Sequence, residues 1–141
     1  MKNLLKTLVL ALFVATVLSC DAAQGKAATG KIASNASVEV YYFHFTRRCV
    51  TCNTVEAETK KDLEVLYSEQ LKAGTMTFKG VNLDEAAGQA LGEKLGVPGQ
   101  SLLIVGGGKK VDLTEQGFMN ARSNPEKLKA ALKAAIDPLV H

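Results

Sequence analysis

Val38-Glu39-Val40-Tyr41-Tyr42-Phe43-His44-Phe45-Thr46-Arg47-Arg48-Cys49-Val50-Thr51-Cys52 is the stretch on which the reading of this chain turns. Its first eight residues are rich in β-branched and aromatic side chains and almost continuously apolar. That is the pattern of a strand covered on both faces, and so internal to a sheet. Beyond Cys52 the period changes. Val55, Leu63, Leu66 and Leu71 fall broadly on one helical face, with Glu and Lys between them, and Gly74 is a stop signal. The two cysteines therefore sit where an internal strand gives way to a long helix. There, the unpaired N–H groups of the first helical turn and the helix dipole favour a thiolate on Cys49, lowering its pKa below the free value of about 8.5. Arg47 and Arg48 come just before it. A guanidinium within a few ångströms would favour the anion further, which makes Arg48 a candidate for tuning the thiolate. A thiolate of this kind attacks a disulfide, and a second sulfur one helical turn further on can resolve the mixed disulfide.

Working outward, residues 76–83 read as a second strand, and Ala86, Ala87, Ala90, Leu91 and Leu95 as a shorter amphipathic helix ended by Gly96-Val97-Pro98-Gly99. Residues 101–105 form a third strand. Gly106-Gly107-Gly108 can supply the positive φ of a tight turn, and residues 109–113 return antiparallel. Asn124 before Pro125 is a helix start, and Leu128, Ala131, Leu132, Ala135 and Ile136 mark the buried face of a last helix. The order is βαβαββα. Helical crossovers make the first two strands parallel and the glycine turn makes the last two antiparallel, giving an α/β fold with a mixed central sheet between helices. The chain has 141 residues, 47% of them apolar, enough for one ordinary domain, expected over residues 38–141.

Strand, C-x-x-C, long helix, strand, helix, Gly-Val-Pro, hairpin and closing helix together resemble the thioredoxin-like superfamily over nearly all of residues 38–136. Met76-Thr77-Phe78-Lys79-Gly80-Val81-Asn82-Leu83-Asp84 is similar to that family's second core strand with its acidic end, and Leu95-Gly96-Val97-Pro98 to its approach to the cis-proline loop. The resemblance implies a three-layer sandwich in which Cys49 is the nucleophile and Cys52 the resolving residue of a thiol-disulfide oxidoreductase that needs no cofactor. It makes Pro98 the candidate cis-proline beside the partner groove, although Gly99 and Gln100 stand between it and Ser101, so Gln100 is the other possible occupant of that place. The chain departs from the family pattern in three ways. Phe43 replaces the buried acid, Arg48 replaces the Trp before the first Cys, and Val50-Thr51 replaces Gly-Pro. No His lies between the cysteines, so the extreme oxidising power of some exported relatives is not indicated.

The N-terminus reads as an address. Lys2 and Lys6 flank an apolar run through Leu18, the pattern of a secretory signal, and the run falls short of the roughly 20 residues that span a bilayer. Val17-Leu18-Ser19-Cys20 resembles a bacterial lipobox. Residues 1–19 are thus expected to be a lipoprotein-type signal peptide and Cys20 the lipidated mature N-terminus, two or more acyl chains being enough for stable anchoring. The competing reading is simple cleavage near Ala22 and Ala23. Residues 20–37 have Ile32 as their one large aliphatic side chain and read as a flexible tether. The expected location is the bacterial cell envelope, lipid-anchored and facing the periplasm or the exterior. The expected partners are exported proteins with thiols or disulfides and a redox-recycling partner, and a monomer is expected.

Other functions are weighed against this one. The net charge of +3 comes from scattered Lys and Arg, without the basic stripe of a nucleic-acid binder, so no nucleic-acid partner is expected. A copper chaperone of this fold would use two Cys and a His. Here the cysteines are too close for that pattern, and only His44 and His141 are available, so no metal is expected. Beside the copper chaperone, the other alternative is a non-catalytic adaptor lipoprotein with a structural Cys49–Cys52 disulfide, but a four-residue loop makes a poor staple. Gly106-Gly107-Gly108 lacks the downstream Lys-Ser/Thr of a phosphate loop.

Overall fold

The structure, a computed structural model, describes residues 37–140. The signal segment, Cys20, the tether up to residue 36 and His141 lie outside the described residues. The described elements, in chain order, are β1 (Val38–His44), α1 (Val50–Leu66), α2 (Ser68–Ala73), β2 (Met76–Asn82), α3 (Ala86–Leu95), β3 (Ser101–Gly106), β4 (Lys109–Asp112), α4 (Thr114–Asn120) and α5 (Pro125–Ile136), followed by a 3₁₀ turn at Asp137–Leu139.

The four strands form one sheet in the order β2-β1-β3-β4. β1 runs parallel to β2, with Tyr42 opposite Gly80, and antiparallel to β3, with Tyr42 opposite Leu102. β3 and β4 are an antiparallel hairpin turned at Gly107 and Gly108, whose φ values of 55° and 73° suit glycine. The apolar run of β1 has the expected cause. Val38, Val40 and Tyr42 join one core with Val55 and Leu63 of α1 and Leu128, Leu132 and Ile136 of α5. Tyr41 and Phe43 pack on the opposite face against Leu103, with Leu83, Leu91 and Leu95 from the α3 side. A strand at the centre of a three-layer sandwich has no wet face, so it carries no polar alternation.

Two features depart from the sequence reading. The helix expected to run to Gly74 breaks at Tyr67 (φ −134°) into α1 and α2. Tyr67 leaves the helical conformation with its ring buried and its hydroxyl donating to Asp137 Oδ1 at 2.7 Å. The short helix α4 went unread because Thr-Glu-Gln-Gly-Phe-Met-Asn has no clear apolar period. The contacts around it are local and tertiary together. Thr114 N–H donates to Asp112 Oδ1 at 2.8 Å and Thr114 Oγ1 accepts from Leu102 N–H at 3.0 Å. A Cβ at Gly117 would lie 3.1 Å from Val55 Cγ1, so glycine lets this helix approach α1 closely.

One buried acid stands outside the cysteine region. Asp62 of α1 is 3% exposed, and its Oδ2 has no hydrogen-bond partner among the described residues. Burial raises its pKa above the ordinary carboxylate range, partly opposed by Lys129. The folded state therefore binds this proton at a higher pH than the unfolded chain does. The resulting stability cost is present above the folded pKa and is relieved as pH falls through it. Asp62→Asn is expected to add about 1 kcal/mol at pH 7, a rise of about 4–8 °C in the thermal midpoint, with the gain shrinking as pH is lowered through the raised pKa. An equal difference from the parent chain across that range would refute the assignment.

Candidate active site

The site lies at the C-terminal end of β1. The chain leaves the strand at His44 and is tied down at once by the end of β2: Leu83 N–H donates to the His44 carbonyl at 2.7 Å, Thr46 N–H to Asp84 Oδ2 at 2.7 Å, and Asn82 Nδ2 to Thr46 Oγ1 at 3.0 Å. Asp84 is held below the usual carboxylate range, chiefly by the backbone N–H of Thr46. This acidic end of β2, noted in the sequence as a family feature, is thus a clamp on the loop that delivers the cysteines.

Cys49 is the N-cap of α1. Its backbone is extended (φ −83°, ψ 167°), and its Sγ accepts the Cys52 backbone N–H at 3.3 Å. The usual cap is a side-chain oxygen from Ser, Thr, Asp or Asn; here a sulfur takes that role, and it is the exposed member of the pair. Cys52, one turn along, is only 3% exposed. No disulfide joins them, and their sulfurs lie 2.6 Å apart. The Cys49 thiol is lowered from its ordinary value, first by the Cys52 side chain and then by the backbone N–H of Cys52, with those of Thr51 and Cys49 itself adding smaller effects. The helix-start argument made from sequence therefore applies, with the neighbouring thiol as the larger cause.

Arg48, the candidate thiolate tuner, is held by Glu56 and Tyr42. Its guanidinium pairs with Glu56 and lies 5.8 Å above the centre of the Tyr42 ring. Glu56, one helical turn beyond Cys52, sits over Gly80, where a Cβ would come within 2.7 Å of Glu56 Oε1. Glycine inside a strand often marks such a close approach, and that signal went unread in the sequence, as did Tyr42. The Tyr42 hydroxyl is buried with no hydrogen-bond partner among the described residues. Its ionisation is pushed up by burial, then by the charge of Cys52, with Arg48 opposing and Glu56 and Cys49 adding smaller effects.

Pro98 does not occupy the predicted place. No peptide bond among the described residues is cis, and Pro98 lines a shallow cleft with Phe45, Leu83 and Val97. Gln100 faces the cysteines instead: Cys52 Sγ–H donates to Gln100 Oε1 at 3.2 Å. The reason is spacing. β3 begins at Ser101, so the residue immediately before it, not the one three positions earlier, is carried against the resolving sulfur. His44 lies nearby, but its Nδ1 donates to the Phe45 carbonyl at 3.0 Å and its ring stacks 6.1 Å from that of Tyr42. Among the described residues no group of three or more His, Cys, Asp or Glu side chains is placed to hold a metal.

The strand order β2-β1-β3-β4, with a C-x-x-C pair capping the helix that follows the internal parallel strand, decides the architecture. This arrangement matches the thioredoxin-like architecture expected from the sequence. No protein-family profile and no curated protein matches the chain. Among solved structures, the chain is similar to a malarial protein (17% identity, covering 74% of this chain and 99% of that one, TM-score 0.49). It is also similar to a single-site mutant of a thioredoxin from Halobacterium salinarum NRC-1 (18% identity, covering 77% of this chain and 79% of that one, TM-score 0.48).

Proposed function

We propose that this protein is a thiol-disulfide oxidoreductase acting on exported proteins from a lipid anchor at the bacterial cell envelope. The observation that carries the catalytic part is the asymmetry of the pair: an exposed Cys49 with its thiol lowered by hydrogen bonds, and a buried Cys52 with its sulfur 2.6 Å away. The Cys49 thiolate attacks one sulfur of a partner disulfide. A Cys49–partner bond forms and the other partner sulfur leaves as a thiolate, which takes a proton from water. Cys52 then loses its proton and attacks Cys49. The Cys49–Cys52 bond forms, the Cys49–partner bond breaks, and the second partner sulfur leaves with the electron pair and is protonated. The partner gains two electrons and the enzyme becomes a disulfide, which an external dithiol reduces again. Run backwards, the same steps oxidise a partner dithiol. The lipobox-like Val17-Leu18-Ser19-Cys20 supports the anchor and the location.

The test is to equilibrate the full-length chain in glutathione buffers with thiol alkylation as the readout. A reversible transition between about −120 and −270 mV is expected. In cells, Cys52→Ala is expected to accumulate Cys49-dependent mixed disulfides with exported proteins. A pair that resists reduction below roughly −300 mV, with no such adducts, would overturn the proposal in favour of a structural disulfide.

A further inference from the structure

The Cys52 thiol has one proton and two neighbours that want it. The Cys49 sulfur is 2.6 Å away and the Gln100 carbonyl oxygen 3.2 Å away. Donation to Cys49 stabilises the nucleophilic thiolate, whereas donation to Gln100 withdraws that support. A carboxamide, unlike a prolyl ring, carries both an acceptor oxygen and an N–H₂ donor at the same reach from the backbone. Rotating the amide by half a turn exchanges them, so the side chain that accepts from a thiol can donate to a thiolate. The buried position makes this matter, because a sulfur anion that is 3% exposed has little water to solvate it, and a hydrogen bond to a charged group is worth more than one to a neutral group.

We infer that the Gln100 carboxamide hydrogen-bonds the resolving sulfur in both of its protonation states, and so sets the rate at which Cys52 closes the disulfide. The inference rests on the exchange reading above. While Cys49 is free, the Cys52 S–H is shared between Cys49 Sγ and Gln100 Oε1. Once Cys49 is tied up in a mixed disulfide, Cys52 gives its proton to solvent, Gln100 Nε2–H turns to the sulfur anion, and the anion attacks Cys49, releasing the partner thiolate. No acid stands at position 43, where Phe43 packs on the other face of the sheet, so the amide's part is to stabilise the sulfur anion. It is not the proton acceptor, since an amide does not take one up. The titratable and charged groups in the neighbourhood are Cys49 and Glu56 from α1, Tyr42 from β1 and Arg48 from the loop; the residue before β3 contributes only the neutral amide.

The experiment is rapid-mixing reaction of the reduced full-length chain carrying Cys20→Ser, so that Cys49 and Cys52 are its two thiols, with an aromatic disulfide whose released thiolate is coloured. The first equivalent released reports attack by Cys49 and the second reports resolution by Cys52. Gln100→Met keeps the length and removes both hydrogen-bonding functions. It is expected to slow the second phase about tenfold or more and move its pH midpoint upward, without slowing the first phase, which also shows that the fold is intact. Gln100→Glu places a negative charge where the amide stood and is expected to move the midpoint of the second phase further still. A general loosening of the site would not produce that order of midpoints with an unimpaired first phase. A second phase within twofold of the parent in both variants, at an unchanged midpoint, overturns the inference and leaves the exchange function standing. Release of a single equivalent by the parent chain overturns both.

Discussion

Cys49→Ser is expected to slow attack on an aromatic disulfide by about a hundredfold or more while leaving the fold in place. Serine is among the preferred N-cap residues, so its hydroxyl can still accept the Cys52 backbone N–H that Cys49 Sγ accepts at 3.3 Å. What disappears is the exposed sulfur, leaving Cys52, 3% exposed, as the sole thiol at the site. In the parent chain the rate should follow the thiolate fraction of Cys49, with a midpoint below the free-thiol value of about 8.5. Cys52→Ala removes the largest cause of that lowering but keeps the backbone donors of α1, so the midpoint should rise part of the way towards the free value. The same shift appears in stability. A thiol whose pKa is lower folded than unfolded stabilises the reduced protein fully above the unfolded value, and that contribution is lost as pH falls through the folded value. Reduced parent protein should therefore gain stability over Cys49→Ser across that window. A midpoint at or above 8.5 for the parent chain would remove the argument for Cys49 as nucleophile.

Gly88→Ala is the substitution expected to cost the fold most. α3 crosses the end of β2 so closely that a Cβ at Gly88 would lie 1.9 Å from the Asn82 carbonyl oxygen and 2.7 Å from its carbon. These are backbone atoms, so relief requires the helix and strand to part. A cost of about 3 kcal/mol, the upper part of the usual overpacking range, corresponds to a midpoint lowered by on the order of 10–20 °C. The damage should reach the active site, because Asn82 also holds Thr46 through its side chain and its neighbour Asp84 holds the Thr46 backbone. Gly99→Ala is the control: no atom lies within 4 Å of its Cβ position, and thermal denaturation should barely distinguish it from the parent. Equal midpoints for the two variants would show that α3 moves aside freely.

The place of the cysteine pair at a helix start and the α/β architecture were legible in the order of residues because both rest on local rules. A nearly continuous apolar run, Val40 to Phe43, reads as a strand buried on both faces. A cysteine just before Val50 becomes a helix cap wherever that helix starts, and Gly107 and Gly108 make the tight turn of the hairpin. Each signal spans a few neighbouring residues and survives any arrangement of the rest. Tertiary structure alone decided what surrounds the sulfurs. Gln100 reaches Cys52 across 48 positions of sequence, because β1 and β3 are neighbours and β3 starts one residue later. Arg48 pairs with Glu56, since Gly80 on the adjacent strand leaves room for that carboxylate and the Tyr42 ring accepts the guanidinium face. Tyr67 breaks its helix for a hydroxyl contact with Asp137, 70 positions away. Local propensity sets which elements form, whereas the partners of a polar side chain depend on which backbones the packed core brings within hydrogen-bonding distance.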